Sequence, residues 1–430
     1  MKDDFLTLFN KAKELDKQDS LAHLRQEFEI PKNEKGEEKI YLCGNSLGLL
    51  PKLSRQYVNE ELDKWSHHGV EGHFAPEHRP WLSYHEEVTS SLAALAGAKK
   101  SEVVAMNSLT TNLHLLLMPF FRPSGKRTKI LREDATFPSD IYAINTHLHS
   151  RQLDPKDHLI VVKSESPYGV LSTEAILETI EKHKDEIATI LMSGVHYLSG
   201  QLFDIKKITS LAHQYGIMVG FDLAHAFGNV PLNLHDTGVD FAAWCTYKYL
   251  NSGPGSIAGI FIHEKHHASL GSKRPFYAGW WGENKKLRFQ MREEFTPIES
   301  VERMQLSNPP ILQLAALKGS LDVFDKTTIK DIRRKSISIT AFLEEELRER
   351  FGGTLTLITP RDKDERGAQL SLALNHSSPE KIVDLLSQRD CICDFRSPNI
   401  IRVAPASLYN SYTDVANFIK TFHDALQLQG

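Results

Sequence analysis

The sequence predicts an α/β protein: a large domain built on a mainly parallel, helix-covered sheet, followed by a smaller α+β domain. Three observations predict it. From about Val103 to Ile262, short apolar runs alternate with amphipathic stretches, the pattern of strands joined by covering helices. The run Gly216-Ile217-Met218-Val219-Gly220-Phe221 is apolar, partly β-branched and bounded by glycine, as a buried strand is. Pro309-Pro310 then breaks the chain, and long helical patterns and isolated short strands follow. The expected units are an N-terminal segment, 1–50, packing on the small domain; a large domain, 51–308; and a small domain, 309–430.

A chain of 430 residues is long enough for two substantial cores. Charged residues make up 25% and the formal net charge is -4, which points away from nucleic acid or another polyanion as partner. Cys43, Cys245, Cys391 and Cys393 form no CxxC pair, as expected in a reducing cytosol. The acidic, interrupted start does not read as a signal peptide, and no apolar run approaches membrane-spanning length. A soluble cytoplasmic protein is expected.

In chain order, Phe5, Leu8, Phe9, Ala12 and Leu15 fall at helical spacing and predict a packing helix. Gly44-Asn45-Ser46-Leu47-Gly48 predicts a structured turn, and 53–65 an amphipathic helix. His67, His68 and His73 follow without cysteine or carboxylate at ligand spacing, so a loop is expected there, not a metal centre. The strand ending near Ala105 turns into a helix that Ser108 or Thr110 would cap. Strands are predicted over 128–132, 158–162, 187–192 and 257–262, with helices over 173–183 and 205–215. Ser193 and Asp222 end successive strands and should face one crevice. Beyond Pro310, helices are predicted over 311–324, 329–350 and 379–388, and strands over 354–358, 369–373 and 400–403.

The chemistry centres on Asp222 and Lys248. A strand-end aspartate, and a lysine in the apolar-aromatic run Trp244-Cys245-Thr246-Tyr247-Lys248, are what pyridoxal phosphate needs. The amine forms a Schiff base with the aldehyde, and the carboxylate keeps the pyridine nitrogen protonated so that the ring accepts electrons. Plainer roles exist for both, as a turn residue and as a solvated lysine. In that setting the helix N-terminus at Ser108–Thr110 suits a phosphate. Phe137, after a strand end, either stacks on a pyridine face or joins the core. Arg402, on a buried strand, needs an anion: a structural carboxylate or the carboxylate of an amino-acid substrate.

The strings Phe221-Asp222-Leu223-Ala224-His225-Ala226-Phe227-Gly228-Asn229-Val230-Pro231 and Thr246-Tyr247-Lys248-Tyr249-Leu250-Asn251-Ser252-Gly253-Pro254-Gly255 closely resemble kynureninases. So do Tyr41-Leu42-Cys43-Gly44-Asn45-Ser46-Leu47-Gly48, Phe137-Pro138-Ser139-Asp140, Gly279-Trp280-Trp281-Gly282 and Ser307-Asn308-Pro309-Pro310. The resemblance runs from about Tyr41 to Tyr409. It implies the type I (aspartate-aminotransferase-like) pyridoxal-phosphate-dependent fold, with pyridoxal 5'-phosphate as cofactor. It further implies hydrolytic Cβ–Cγ cleavage of L-kynurenine or 3-hydroxy-L-kynurenine. By the same resemblance, Lys248, Asp222 and Tyr247 are catalytic. Leu109, Thr110, Phe137, Asp140, Ser193, His225, Trp280 and Asn308 join them around the cofactor. Arg402, with Arg396 as second candidate, would grip the substrate carboxylate, and His73 and Asn308 would approach its ring. A homodimer is implied, with Trp280 and Asn308 crossing to the neighbour's cofactor phosphate.

Two other readings compete. A cysteine desulfurase on the same fold would need Cys391 or Cys393 as a nucleophile in a mobile loop of the small domain. A non-catalytic cofactor binder would not need the whole Asp–Lys–Arg set. His263-Glu264-Lys265-His266-His267 formally matches a zinc-peptidase string, with Glu283 as a conceivable third ligand. Its place directly after a buried strand predicts the exposed start of a helix instead.

Overall fold

The computed structural model of the chain describes residues 2–75 and 79–429. Its large sheet has seven strands: β1 (Val103–Ala105), β2 (Lys129–Glu133), β3 (Leu159–Val162), β4 (Ile187–Ser193), β5 (Met218–Asp222), β6 (Phe241–Trp244) and β7 (Gly259–Ile262). Their order is β1-β7-β6-β5-β4-β2-β3. β3, β2, β4, β5 and β6 pair in parallel, and β7 runs antiparallel to both β6 and β1. The reversal of β7 has a simple cause. No helix intervenes between β6 and β7, so the chain turns through the Lys248 loop and returns from the same edge. The apolar pattern does not mark 241–244 as a strand, yet β6 is buried throughout, with Trp244 stacked on Phe227 at 4.0 Å.

Both faces of the sheet are covered. The helix Ile311–Phe324 lies against Lys52–His68, and its Leu314, Ala315, Leu317 and Leu321 join the core on one face of the sheet. Leu113, Leu116, Leu117 and Phe120 of the helix Leu109–Phe120 fill a second core with Ala143 and Ile144 of Pro138–His149. Burial on both faces explains why the strands read as continuous apolar runs and do not alternate.

A second, antiparallel sheet contains β8 (Leu355–Leu357), β9 (Leu370–Leu374), β10 (Asp394–Arg396) and β11 (Ile400–Val403), in the order β8-β9-β11-β10. The first helix, Lys2–Gln18, places Leu8 and Ala12 in this sheet's core. Its Asp16 accepts hydrogen bonds from Tyr412 N (2.7 Å) and Thr413 N (3.1 Å), and so caps the last helix, Tyr412–Gln429, from outside. Ile40–Tyr41 pairs in parallel with Cys391–Ile392, which carries the chain from the small sheet to the turn at Asn45.

Candidate active site

The site lies at the carboxyl edge of the large sheet, where β2, β4 and β5 end. A cavity of about 380 Å³ opens there, reached by both sheets. Ser193 and Asp222 are register partners at the ends of β4 and β5, and both line it. Beneath Ser193, Glu133 ends β2. Its Oε1 accepts from Ser193 N (3.1 Å) and from the Ser193 hydroxyl.

Three carboxyl groups are thus buried close together. Burial raises the pKa of each, because a low-polarity surrounding disfavours the charged form. Asp140 is raised well above the carboxylate range, by burial and then by the charge of Asp222, to which it is hydrogen-bonded. Asp222 accepts Ala224 N–H at 2.7 Å and faces Lys248, both of which favour its charged form. Of the two, Asp140 is pushed further toward its protonated form, while the Ala224 N–H and Lys248 favour charge on Asp222.

Lys248 Nζ lies 2.9 Å from His225 Nε2. Burial first, and the neighbouring Lys248 second, hold His225 well below the ordinary histidine range, so it is neutral. Tyr247 lines the same cavity, and burial above all keeps its hydroxyl protonated. The turn at Asn45 reaches in as well: Asn45 and Ser46 line the cavity. Gly48 N–H donates to Tyr247 O at 2.8 Å, and a Cβ at Gly48 would overlap the Lys248 carbonyl oxygen. Only glycine lets this turn sit so close to the lysine loop.

Ser108 occupies the cap position of Leu109–Phe120, but its side chain makes no capping bond. Ser108 Oγ lies 3.0 Å from Thr111 Oγ1. That corrects the expected cap and leaves the first backbone N–H groups of the helix for an anion. Leu109 and Thr110 line the cavity, with Thr110 Oγ1 2.6 Å from Ser139 Oγ. Phe137 is not core: it is 43% exposed, faces the cavity and meets Tyr197 edge-on at 5.2 Å.

From the small sheet come Arg402 and Arg396. Arg402 is 1% exposed and finds the anion its burial demands in Asp394, through Nη2 to Oδ2 (2.6 Å) and Nε to Oδ1 (3.3 Å). Asp394 was not visible as a site residue in the sequence. Its only signal was that a buried arginine requires such a partner. Glu133 and Tyr197 were missed too; Glu133 ends a strand as Ser193 and Asp222 do, a signal that could have found it.

His73, Trp280 and Asn308 are not among the residues lining this cavity in the same chain. His73 ends a 3-10 turn and packs edge-on against Trp81 at 5.1 Å. Trp280 is 41% exposed beside Phe289. Asn308 lines a neighbouring cavity of about 320 Å³, together with Ser108. The zinc-like string forms a 3-10 turn, Glu264–Ser269, in which His263 and His267 diverge: His263 lies by Glu102, and His267 Nε2 lies 3.2 Å from Ile262 O. Glu102, His235 and His263 do come together, but both Glu102 oxygens are taken up by Lys99 N, Glu264 N and His235 Nδ1. Glu283 Oε2 accepts Thr296 N.

With the geometry in place, comparison with known proteins is informative. The chain is 48% identical over 410 residues to a kynureninase of Myxococcus xanthus, covering 95% of each chain. The chain belongs to the kynureninase family. A kynureninase of Monosiga brevicollis is 45% identical, with 96% of this chain and 95% of that one covered. The kynureninase C-terminal domain pattern matches residues 332–422, and that of the DegT/DnrJ/EryC1/StrS aminotransferase family matches 83–238. Among solved structures, the cysteine desulfurase CsdA of Escherichia coli superposes with a TM-score of 0.78 at 16% identity, covering 96% of this chain and 99% of its own. A C-DES variant with glycine covalently linked to its PLP cofactor gives 0.76 at 16%, covering 90% and 96%. At that identity the structures speak for the fold alone, and the type I fold is the one the family resemblance implied.

Proposed function

We propose that this chain hydrolyses the Cβ–Cγ bond of L-kynurenine or 3-hydroxy-L-kynurenine, giving an anthranilate and L-alanine in tryptophan catabolism. Its cofactor is pyridoxal 5'-phosphate. The observation that carries this reading is the meeting of Lys248, the Asp140–Asp222 pair and Arg402 on one cavity, in a member of the kynureninase family.

The residues fit the cofactor. The uncapped helix N-terminus at Ser108 suits its phosphate, and Asp222 suits its ring nitrogen. Asp140 Oδ1 and His225 Nδ1 are buried polar atoms without a protein partner, open to a bound group. When bound, pyridoxal phosphate supplies an electron sink for a carbanion formed on the substrate. Lys248 Nζ takes the substrate's α-proton, oriented by the neutral His225 ring. Asp222, with the Ala224 N–H and Lys248 favouring its charged form, is the carboxyl group placed for the ring nitrogen, and Tyr247 Oη, protonated through burial, is the group that relays protons. Arg402 holds the substrate's carboxylate.

The same reading makes the protein a cytoplasmic homodimer with shared sites. Two observations support it: no helix among the described residues is long and apolar enough to cross a membrane, and His73, Trp280 and Asn308 stay off the cavity of their own chain. Phe74, Trp280, Phe289 and Met291 are also exposed together, as a subunit interface would have them. His73 and Asn308 are polar groups suited to a ring hydroxyl, which favours 3-hydroxykynurenine. Equal kcat/KM for both substrates would remove that preference. The working division stays 1–50, 51–308 and 309–430, with the helix at 311–324 packed on the second unit.

The deciding experiment gives the cofactor-loaded protein kynurenine, 3-hydroxykynurenine and cysteine in turn. Anthranilate and alanine in equal amounts are expected from the first. Sulfide from cysteine would favour a desulfurase, against which Cys391 and Cys393 speak: neither lines the cavity, both lie on or beside a strand, and burial pushes both thiols up. Neither product would leave a non-catalytic binder.

A further inference from the structure

Beneath the cavity lies a carboxyl group that no step of the proposed chemistry uses. Glu133, the last residue of β2, is fully buried and is not among the residues lining the cavity. One of its oxygens, Oε1, takes both hydrogen-bond donors of Ser193, the backbone N–H at 3.1 Å and the side-chain hydroxyl. The other, Oε2, is buried without a donor. The backbone of Glu133 is pinned as well: its carbonyl oxygen accepts from Thr136 Oγ1 at 2.6 Å and from Arg132 Nη1 at 2.9 Å. Glu133 is thus a rigid grip on one residue of the cavity wall. We propose that Glu133 is a positioning residue: it keeps the hydrogen of the Ser193 hydroxyl out of the cavity, so that Ser193 Oγ meets the bound cofactor as a hydrogen-bond acceptor. The proposal rests on the cofactor site of the proposed function.

Stability alone does not explain a carboxyl group at this place. Among the described residues, the hydrogen bonds to its side chain come from Ser193, and no ion pair includes it. A buried carboxyl group without a cation costs free energy that an apolar side chain of its size does not. Such groups gather where a ligand binds. Ser193 needs the grip because of its neighbour. It is the register partner of Asp222 across β4 and β5, and the side chains of register partners stand on one face of the sheet. A released Ser193 hydroxyl would turn to Asp222 and donate to the carboxyl group placed for the cofactor's ring nitrogen. Held by Glu133, it leaves Asp222 to the cofactor.

The grip does not need a charge. Burial first, and the charge of Asp222 in addition, push Glu133 toward its protonated form. A proton on Oε2 leaves Oε1 as a carbonyl oxygen, whose lone pairs suffice for both Ser193 donors. A glutamine amide offers the same oxygen, and a leucine of similar size offers none.

The test is a double-mutant cycle on cofactor affinity. The loaded protein is dialysed against a series of pyridoxal 5'-phosphate concentrations, and bound cofactor is read by its absorbance. Glu133→Leu should weaken binding about tenfold, whereas Glu133→Gln should stay within about threefold of the natural protein. In the Ser193→Ala background, Glu133→Leu should change the affinity by less than about threefold, because no hydroxyl is left to hold. Should Glu133→Leu not fold, Glu133→Ala takes its place in the cycle. No loss in Glu133→Leu, or the same loss with and without the Ser193 hydroxyl, overturns the proposal. So does a Glu133→Gln protein as weak as Glu133→Leu, which would make the charge of Glu133 the working feature. A borohydride label on a lysine other than Lys248 refutes the cofactor site on which the proposal rests. A label on Lys248 together with equal losses in both backgrounds refutes the proposal alone.

Discussion

At the carboxyl edge of the large sheet, Asp222, Asp140 and Glu133 are buried close together, and Asp140 Oδ1 and Glu133 Oε2 have no donor. Just before β6, toward the opposite edge, Asp240 is as deeply buried, but it is surrounded by donors. Val219 N (2.7 Å) and His213 Nε2 (3.0 Å) approach Oδ2, while His266 Nε2 (2.7 Å) and Lys265 Nζ (2.8 Å) approach Oδ1. Burial pushes the first set up, whereas hydrogen bonds and the Lys265 charge override burial and hold Asp240 far below the usual carboxylate range. On the proposed function, the difference is that between carboxylates left open to a ligand and one committed to structure. Asp240 is saturated and ties β5, β6 and the turn after β7 together. The Asp140–Asp222 pair keeps an unpartnered oxygen on Asp140, which leaves it open to a ligand.

The largest expected effect lies at the working edge. Lys248→Ala should lower turnover by about 10⁴-fold or more, since the base and the covalent anchor are one group. Borohydride reduction of the loaded protein followed by peptide mapping should place the cofactor label on Lys248. A label on another lysine would break the assignment of this edge as the active one. Asp222→Ala comes next: it should still bind cofactor, but turnover should fall by about 10² to 10³-fold. Near-normal turnover would make Asp222 as structural as Asp240.

The proposed shared sites predict an intermediate effect. Lys248→Ala and Asn308→Ala proteins, each impaired alone, are unfolded and refolded together. One site of a hybrid dimer collects both lesions and the other collects neither, so about a quarter of natural activity should return with random pairing. Recovery no greater than the mean of the parents, with hybrids present, would put Asn308 outside the site.

Asp240→Asn is expected to have the smallest effect on chemistry: kcat within about twofold, with a stability loss of about 2 kcal/mol as donors lose a charged acceptor. Folding lowers the pKa of Asp240, so its contribution is present above the ordinary carboxylate range and is lost as pH falls toward the depressed value. Urea unfolding should therefore show the gap between natural protein and variant narrowing from pH 7 towards pH 3. A gap that does not vary with pH would mean that the charge of Asp240 is not what stabilises this edge.

What the sequence determined by itself was local. Apolar runs placed six of the seven large-sheet strands, because burial on both faces writes a continuous pattern. Strand-end position brought out Asp222 and Ser193, and the strings around Lys248 and Phe137 pointed to the family. Other features were set by residues far apart in the chain. The direction of β7 followed from a missing crossover helix. The last helix has a local cap in Ser411 and Asp414, but its first two N–H groups are met by Asp16, nearly four hundred residues earlier. The partner of Arg402 was Asp394 on the adjacent strand, and no local pattern names which carboxylate a buried arginine will meet. Tertiary structure alone decided which residues share the cavity: it gathered Lys248, Asp222, Asp140, His225 and both arginines, and kept His73, Trp280 and Asn308 outside. The physical reason is that periodicity records whether a side chain is buried, whereas hydrogen bonds and charge pairs depend on which buried groups the fold brings within a few ångströms of each other.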